Sequence, residues 1–258
     1  MQKTGIPWCD YSWSPFTGCS PVSEGCAHCW AAAMAKRFHR PWGTAQFHPE
    51  RLEEPFRHKK PGLVFICSVS DFFHESISDI DRCQVLEMAL NRAPWHRYLL
   101  LTKRAEAMWR FFQFHPAYAG RLYLGITAET QQRFDERWEY LRRIPAARRF
   151  VSYEPALGPL DVRFENISNL PDLDGDWCPP PRQGGWYRIN DFEPELHWVI
   201  AGCESGPGRR PAQEEWFRGL RDQCQEAGIP YFLKQMDIGG KVTPEPLLDG
   251  RQWLEFPE

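Results

Sequence analysis

Three cysteines crowd into one short stretch, Cys19, Cys26 and Cys29, with the spacing C-x6-C-x2-C. Thiolates two residues apart can reach one metal centre, and a third from a Gly/Pro-rich loop completes a cuff. Gly18 and Gly25 each stand directly before a candidate ligand, where they give the backbone freedom to fold tightly. Residues 31–38 then show helical character, so the cuff leads into a helix. The spacing leaves three readings open. The thiols are separate; or they build a structural zinc site with Cys9, His28 or His39 as fourth ligand; or they hold an iron–sulfur cluster by three cysteines, leaving one iron free for chemistry.

The elements that position this loop follow a β/α rhythm. Apolar runs at 63–69, 98–101, 122–126, 150–153, 197–201 and 231–233 fit strands buried on both faces, as parallel strands are. Between them, 79–92, 105–112, 131–143 and 213–227 have helical spacing, with Asp79 as an N-cap and Gly228 in the place of a C′ glycine. Strands alternating with helices imply right-handed crossovers and a parallel sheet, open or closed into a barrel. One α/β domain over 1–258 suits a partial or full parallel (β/α) barrel. Each run ends in polar residues: Ser68, Ser70 and Asp71; Thr102, Lys103 and Arg104; Thr127 and Glu129; Ser152 and Glu154; Glu204 and Ser205; Lys234 and Gln235. Ligands bind at the C-terminal strand ends of such folds, so these tips should share a polar mouth. Residues 165–195, rich in Pro, Gly and Asp, are an irregular insertion and a candidate lid, and 236–258 reads as an irregular tail.

The charge balance is 31 Lys+Arg against 34 Asp+Glu, a net −3, which excludes a polycationic nucleic-acid coat but not a local basic groove. Nine cysteines without a signal peptide point to metal binding in a reducing compartment rather than to disulfides. No apolar run approaches the roughly 18 residues of a spanning helix, so no membrane partner and a cytoplasmic location are expected.

The loop from Trp13 through Gly18-Cys19 to Gly25-Cys26-Ala-His-Cys29-Trp30 resembles the cluster loop of radical S-adenosylmethionine enzymes. The likeness is to the spore photoproduct lyase-like branch, whose loop runs Asn-Pro-Tyr-x-Gly-Cys-x-x-x-Cys-x-Tyr-Cys-Tyr. It departs in the longer first gap and in His28, where that branch has an aromatic. The six-residue gap is similar to that of a phage-associated, largely uncharacterised family with a three-cysteine motif. That likeness continues through Ser68–Glu75, Leu101–Arg104, Leu124–Glu129, Ser152–Pro159, Ala201–Gly208 and Phe232–Gln235.

The resemblance implies a partial (β/α) barrel with a [4Fe–4S] cluster on Cys19, Cys26 and Cys29. S-adenosylmethionine would bind the open iron and be cleaved to a 5′-deoxyadenosyl radical that abstracts hydrogen from substrate. Ser68, Ser70 and Asp71 would hold the methionine end; Thr102, Lys103, Thr127 and Glu129 would contact carboxylate and ribose, and Trp30 would stack near the adenine. Lys103, Glu154, Glu204 and Lys234 are the candidate catalytic residues, as substrate contacts or proton donors. The resemblance also implies an electron donor such as flavodoxin or ferredoxin, a genomically adjacent partner protein, and an unassigned small-molecule, nucleotide or nucleic-acid substrate. The rival from another class is a non-catalytic, zinc-stabilised binding or adaptor module. The run Gly202 to Arg210 reads as a possible anion cradle, and the pairs Arg142-Arg143, Arg148-Arg149 and Arg209-Arg210 as local phosphate contacts.

Overall fold

The computed structural model describes residues 1–162, 196–206 and 208–257. Strands β1 (Gln2–Lys3), β2 (Tyr11–Trp13) and β3 (Phe16–Thr17) precede helix α1 (Trp30–Arg37). After β4 (Gln46–Phe47) and the short α2 (Glu54–Arg57), strands and helices alternate. They run β5 (Leu63–Ile66), α3 (Asp79–Glu87), β6 (Arg97–Thr102), α4 (Ala105–Phe114), short α5 (Pro116–Ala119), β7 (Tyr123–Thr127), α6 (Gln131–Leu141) and β8 (Arg148–Tyr153). β9 (Trp198–Gly202), α7 (Glu214–Glu226), β10 (Tyr231–Ile238), β11 (Lys241–Pro244), β12 (Leu247–Leu248) and β13 (Arg251–Gln252) complete the chain.

Among the described residues the main sheet has the order β1-β2-β5-β6-β7-β8-β9-β10-β11. Neighbours from β2 to β10 pair in parallel, while β1 and β11 are antiparallel edges. The strictly sequential parallel order bears out the β/α reading. The two edge strands do not pair with each other, so a closed barrel is not seen among the described strands.

Period-two alternation splits the strand side chains between two cores. Val64, Ile66, Leu100, Leu124, Val151 and Val199 join the apolar stripes of the helices, such as Met108, Phe111 and Phe112 of α4 and Phe217 and Leu220 of α7. On the other face Phe65, Leu99, Phe150, Trp198, Ile200 and Phe232 form a second cluster with Trp8, and among the described residues no helical residue belongs to it. Both faces are therefore dry, which is why the strands read as continuous apolar runs. Burying each large side chain contributes roughly 1.5–3 kcal/mol.

Some boundaries differ from expectation. Strand β5 stops at Ile66 because Cys67 adopts a left-handed backbone (φ 65). The N-cap of α3 is Ser78, whose Oγ accepts from the Asp81 N–H at 3.2 Å, while Asp79 lies inside the helix and pairs with Arg82. Gly228 (φ 67) follows α7 as expected. Residues 236–258 are not simply irregular. β10 turns at Gly239-Gly240 and returns as β11, and β12 and β13 form a small hairpin. The half-exposed, mixed composition of β11 hides it from a search for apolar runs. Likewise β2, three residues long, was not among the expected strands. The candidate lid at 165–195 lies outside the described residues. No helix among the described residues is long and apolar enough to cross a membrane.

Candidate functional site

The thiol loop leaves β3 at the C-terminal edge of the parallel sheet and is stitched to the tip of β5. Gly18 N–H donates to the Val69 carbonyl at 3.3 Å, and Ser70 Oγ donates to the Gly18 carbonyl at 2.6 Å. Gly18 has φ +88 and presses against the Thr44 carbonyl, where a Cβ would collide. Cys26 ends a 3₁₀ turn, and Cys29 caps the start of α1. Cys19, Cys26 and Cys29 are all free thiols, and all three line one cavity of about 420 Å³.

The opposite walls of that cavity are the strand tips. Ser68, Ser70 and Asp71 follow β5, Thr102, Lys103 and Arg104 close β6, and Thr127 ends β7. Glu154, Glu204 and Lys234 supply the walls after β8, after β9 and on β10. Trp30, 47% exposed, stands at the rim. The structure thus brings every proposed site residue to this cavity except Glu129, which lies beneath the thiol loop. Of the three expected fourth ligands, His28 lines the cavity; Cys9 packs against the second cluster and His39 is exposed. Among the described residues, no three Cys, His, Asp or Glu side chains are gathered closely enough to hold a metal ion, so the thiols share a wall without converging.

Internal hydrogen bonds already occupy much of the polar wall. Asp71 is buried, and its carboxylate accepts from Thr102 Oγ1 at 2.7 and 2.9 Å, Phe73 N–H at 2.9 Å and Lys103 N–H at 3.2 Å. It therefore fixes the β6 tip against the β5 tip. Ser68 Oγ bonds Ser12 Oγ at 2.7 Å.

Arg104 is the main link between sheet and loop. Its guanidinium donates to Cys19 Sγ at 3.5 Å, to the Ser20 carbonyl at 3.0 Å and Ser20 Oγ at 2.8 Å, and to Glu75 at 3.1 Å. Burial pushes the Cys19 thiol above its ordinary range and Asp71 adds to this, while Arg104 pulls the other way. His74 meets the same Ser20 hydroxyl at 2.9 Å. Its Nδ1 accepts from Ser76 N–H at 3.1 Å, so Nε2 carries the proton of the neutral ring. Burial, then Arg104, holds its titration below the usual range.

Glu129 is fully buried and accepts from Ser23 Oγ and Arg137, with Lys103 Nζ at 3.5 Å. Burial raises its carboxyl, but Lys103 and then Arg137 hold it below the ordinary range. Gly25 lies directly on that carboxylate, leaving no room for a Cβ. Glu129 consequently braces the thiol loop from below. Across the cavity Lys234 pairs with Glu154. Glu204, buried, accepts from Arg210 N–H at 2.8 Å and Arg210 Nη2 at 2.6 Å, and that guanidinium reaches the Glu24 carbonyl of the loop at 3.0 Å. Burial acts to raise Glu204, yet the Arg210 hydrogen bonds keep it ionised to lower pH than usual.

Sequence reading placed Arg104 in the polar mouth and read Arg209-Arg210 as a phosphate contact, but it missed that Arg104, Arg137 and Arg210 tie the loop or its brace to the sheet, Arg210 through Glu204 and with Arg209 held by Asp237. For Arg137 a signal existed: it sits beside Phe134 and Trp138 on the buried stripe of α6, where a charge needs a partner.

These features define an α/β protein with a largely parallel sheet and a thiol-walled cavity at the C-terminal strand ends. The chain belongs to the DUF5131 family, described as a protein of unknown function, whose model matches residues 3–257. No curated protein and no solved structure matches the chain.

Proposed function

We propose that this chain is a radical S-adenosylmethionine enzyme, built on a partial (β/α) barrel, with an unassigned substrate. The observation that carries the reading is that Cys19, Cys26 and Cys29, from one glycine-punctuated loop, wall the same cavity as the C-terminal strand tips. The donor chemistry fits the group, since three free thiols are the ligands an iron–sulfur cluster takes. When bound, a three-cysteine [4Fe–4S] cluster supplies one-electron reduction of S-adenosylmethionine, fed by a donor such as flavodoxin or ferredoxin.

The chain's own residues do the rest. Arg104 places a cation beside the Cys19 sulfur, which offsets part of the burial and Asp71 charge that oppose the thiolate ligation requires. Lys103, with its ammonium 3.5 Å from Glu129 and its side chain partly exposed in the cavity, offers a donor to a carboxylate. Asp71 acts through Thr102 and the Lys103 backbone, positioning that tip. Trp30 presents an open aromatic face at the rim. Glu154 and Lys234 place an acceptor and a donor side by side on the far wall, suited to orient a substrate or to move a proton. The dry cluster under Trp198 and Phe150 forms the interior of the partial barrel and keeps water from below.

The test is anaerobic reconstitution, reduction with dithionite and incubation with S-adenosylmethionine. The expected products are methionine and 5′-deoxyadenosine, absent with Cys26→Ala. Intact S-adenosylmethionine in a reconstituted, reduced sample would contradict the reading.

A further inference from the structure

A second hollow of about 650 Å³ opens beside the thiol cavity, and Trp30, Ala31, Ser68 and Val69 line both. Its outer wall is the exposed face of α1 and the turn after it. Trp30, Met34 and Phe38, four residues apart, are 47%, 42% and 51% exposed, an unusual display of apolar surface on a short helix. Cations surround it. The Arg37 and Arg40 guanidiniums each lie 5.6 Å from the Phe38 ring centroid, and Lys36 and His39 are exposed beside them. From residue 25 to residue 49 the chain carries Lys36, Arg37 and Arg40 but no Asp or Glu, although the whole protein is net −3. Trp42 and Arg51 continue the same wall, where Arg51 has Glu50 at 3.8 Å and the Glu54 carboxylate is taken up by the N-terminal amine.

Flat rings set among the cations of Lys36, Arg37 and Arg40, in a hollow that shares a wall with the thiol cavity, match a ligand that alternates planar bases with phosphates. Resting on the radical-enzyme reading above, we infer that the substrate class is single-stranded nucleic acid, its strand tracking the α1 face and delivering one nucleotide past Trp30 into the thiol cavity. Duplex is disfavoured because its bases cannot stack on Phe38 and Trp30, and because the chain as a whole carries 31 Lys+Arg against 34 Asp+Glu.

The experiment measures binding of fluorescein-labelled oligothymidylate, oligouridylate and a mixed-sequence duplex by anisotropy. Both the native chain and Cys26→Ala are used, so that the result does not depend on the cluster. Single strands should bind, and the DNA and RNA arms rank the two sugars. Three phosphate contacts would weaken affinity on the order of twentyfold between about 50 and 200 mM salt. The double variant Arg37→Glu, Arg40→Glu should bind at least about tenfold more weakly, and Phe38→Ala, which keeps the charges, several-fold more weakly. All three positions are exposed, so folding is preserved. Absence of single-strand binding, equal binding of duplex, or variants that bind like the native chain would overturn the inference. Failure to cleave S-adenosylmethionine, read separately without nucleic acid, would instead count against the proposed function alone.

Discussion

At the scale of single residues, Glu129 makes the sharpest prediction. Its carboxylate is fully buried between Arg137, Lys103 and Ser23, so Glu129→Gln leaves Arg137 without its counter-charge and should cost about 3–5 kcal/mol in urea unfolding. Because its folded titration lies below the ordinary carboxylate range, this stabilisation is full above that range and is lost as pH falls through the depressed value. The native chain should therefore lose stability on acidification more steeply than Glu129→Gln, and parallel acid profiles would rule the bracing role out. Lys103→Ala should weaken S-adenosylmethionine binding while the cluster stays intact; unchanged affinity would remove Lys103 from the site. The cysteines and strand-tip residues were legible in the sequence because spacing and position at the end of an apolar run are local properties. The partners of Arg104 and Arg210 were not, since a long cation's partner is set by which loop folds over it, here Cys19 and Ser20 for one and Glu204 and Glu24 for the other.

At the scale of elements, the thiol loop is held by close approach. Gly25→Ala would drive a methyl into the Glu129 carboxylate, displace Cys26, and lower stability by about 1–3 kcal/mol. Its signature is a combined loss of melting temperature and bound metal, and a variant with native values of both would show that the loop has slack. Helix α3 offers a simpler check. Ser78→Ala should cost about 1 kcal/mol and Asp79→Ala less, because Ser78 supplies the capping oxygen. Sequence reading put the cap at Asp79, and the extended backbone at Ser78 moves it one residue earlier. Strands β6 to β10 were readable because both faces are buried. The edge strand β11 and the three-residue β2 escaped for the opposite reason, as half-exposed or very short strands show no apolar run.

At the scale of the whole molecule, one sheet separates two dry cores and carries the polar cavity at one end. Trp198 is fully buried in the second cluster against Trp8, which lines the cavity, so Trp198→Ala should cost roughly 3–5 kcal/mol and loosen that wall. The parallel topology followed from β/α alternation, whereas the open edges and the second hollow beside α1 depend on how far the sheet curls, which no local pattern records. The central claim is that the thiol wall holds an open-site iron–sulfur cluster. It is tested most directly by iron, zinc and sulfide analysis of anaerobically purified protein, with electron paramagnetic resonance of the reduced sample before and after S-adenosylmethionine. The account predicts about four irons with matching sulfide per chain and a spectrum perturbed by the ligand, both lost in Cys26→Ala. One zinc per chain, no sulfide and no response to S-adenosylmethionine would contradict it and make the loop a structural staple of a binding module.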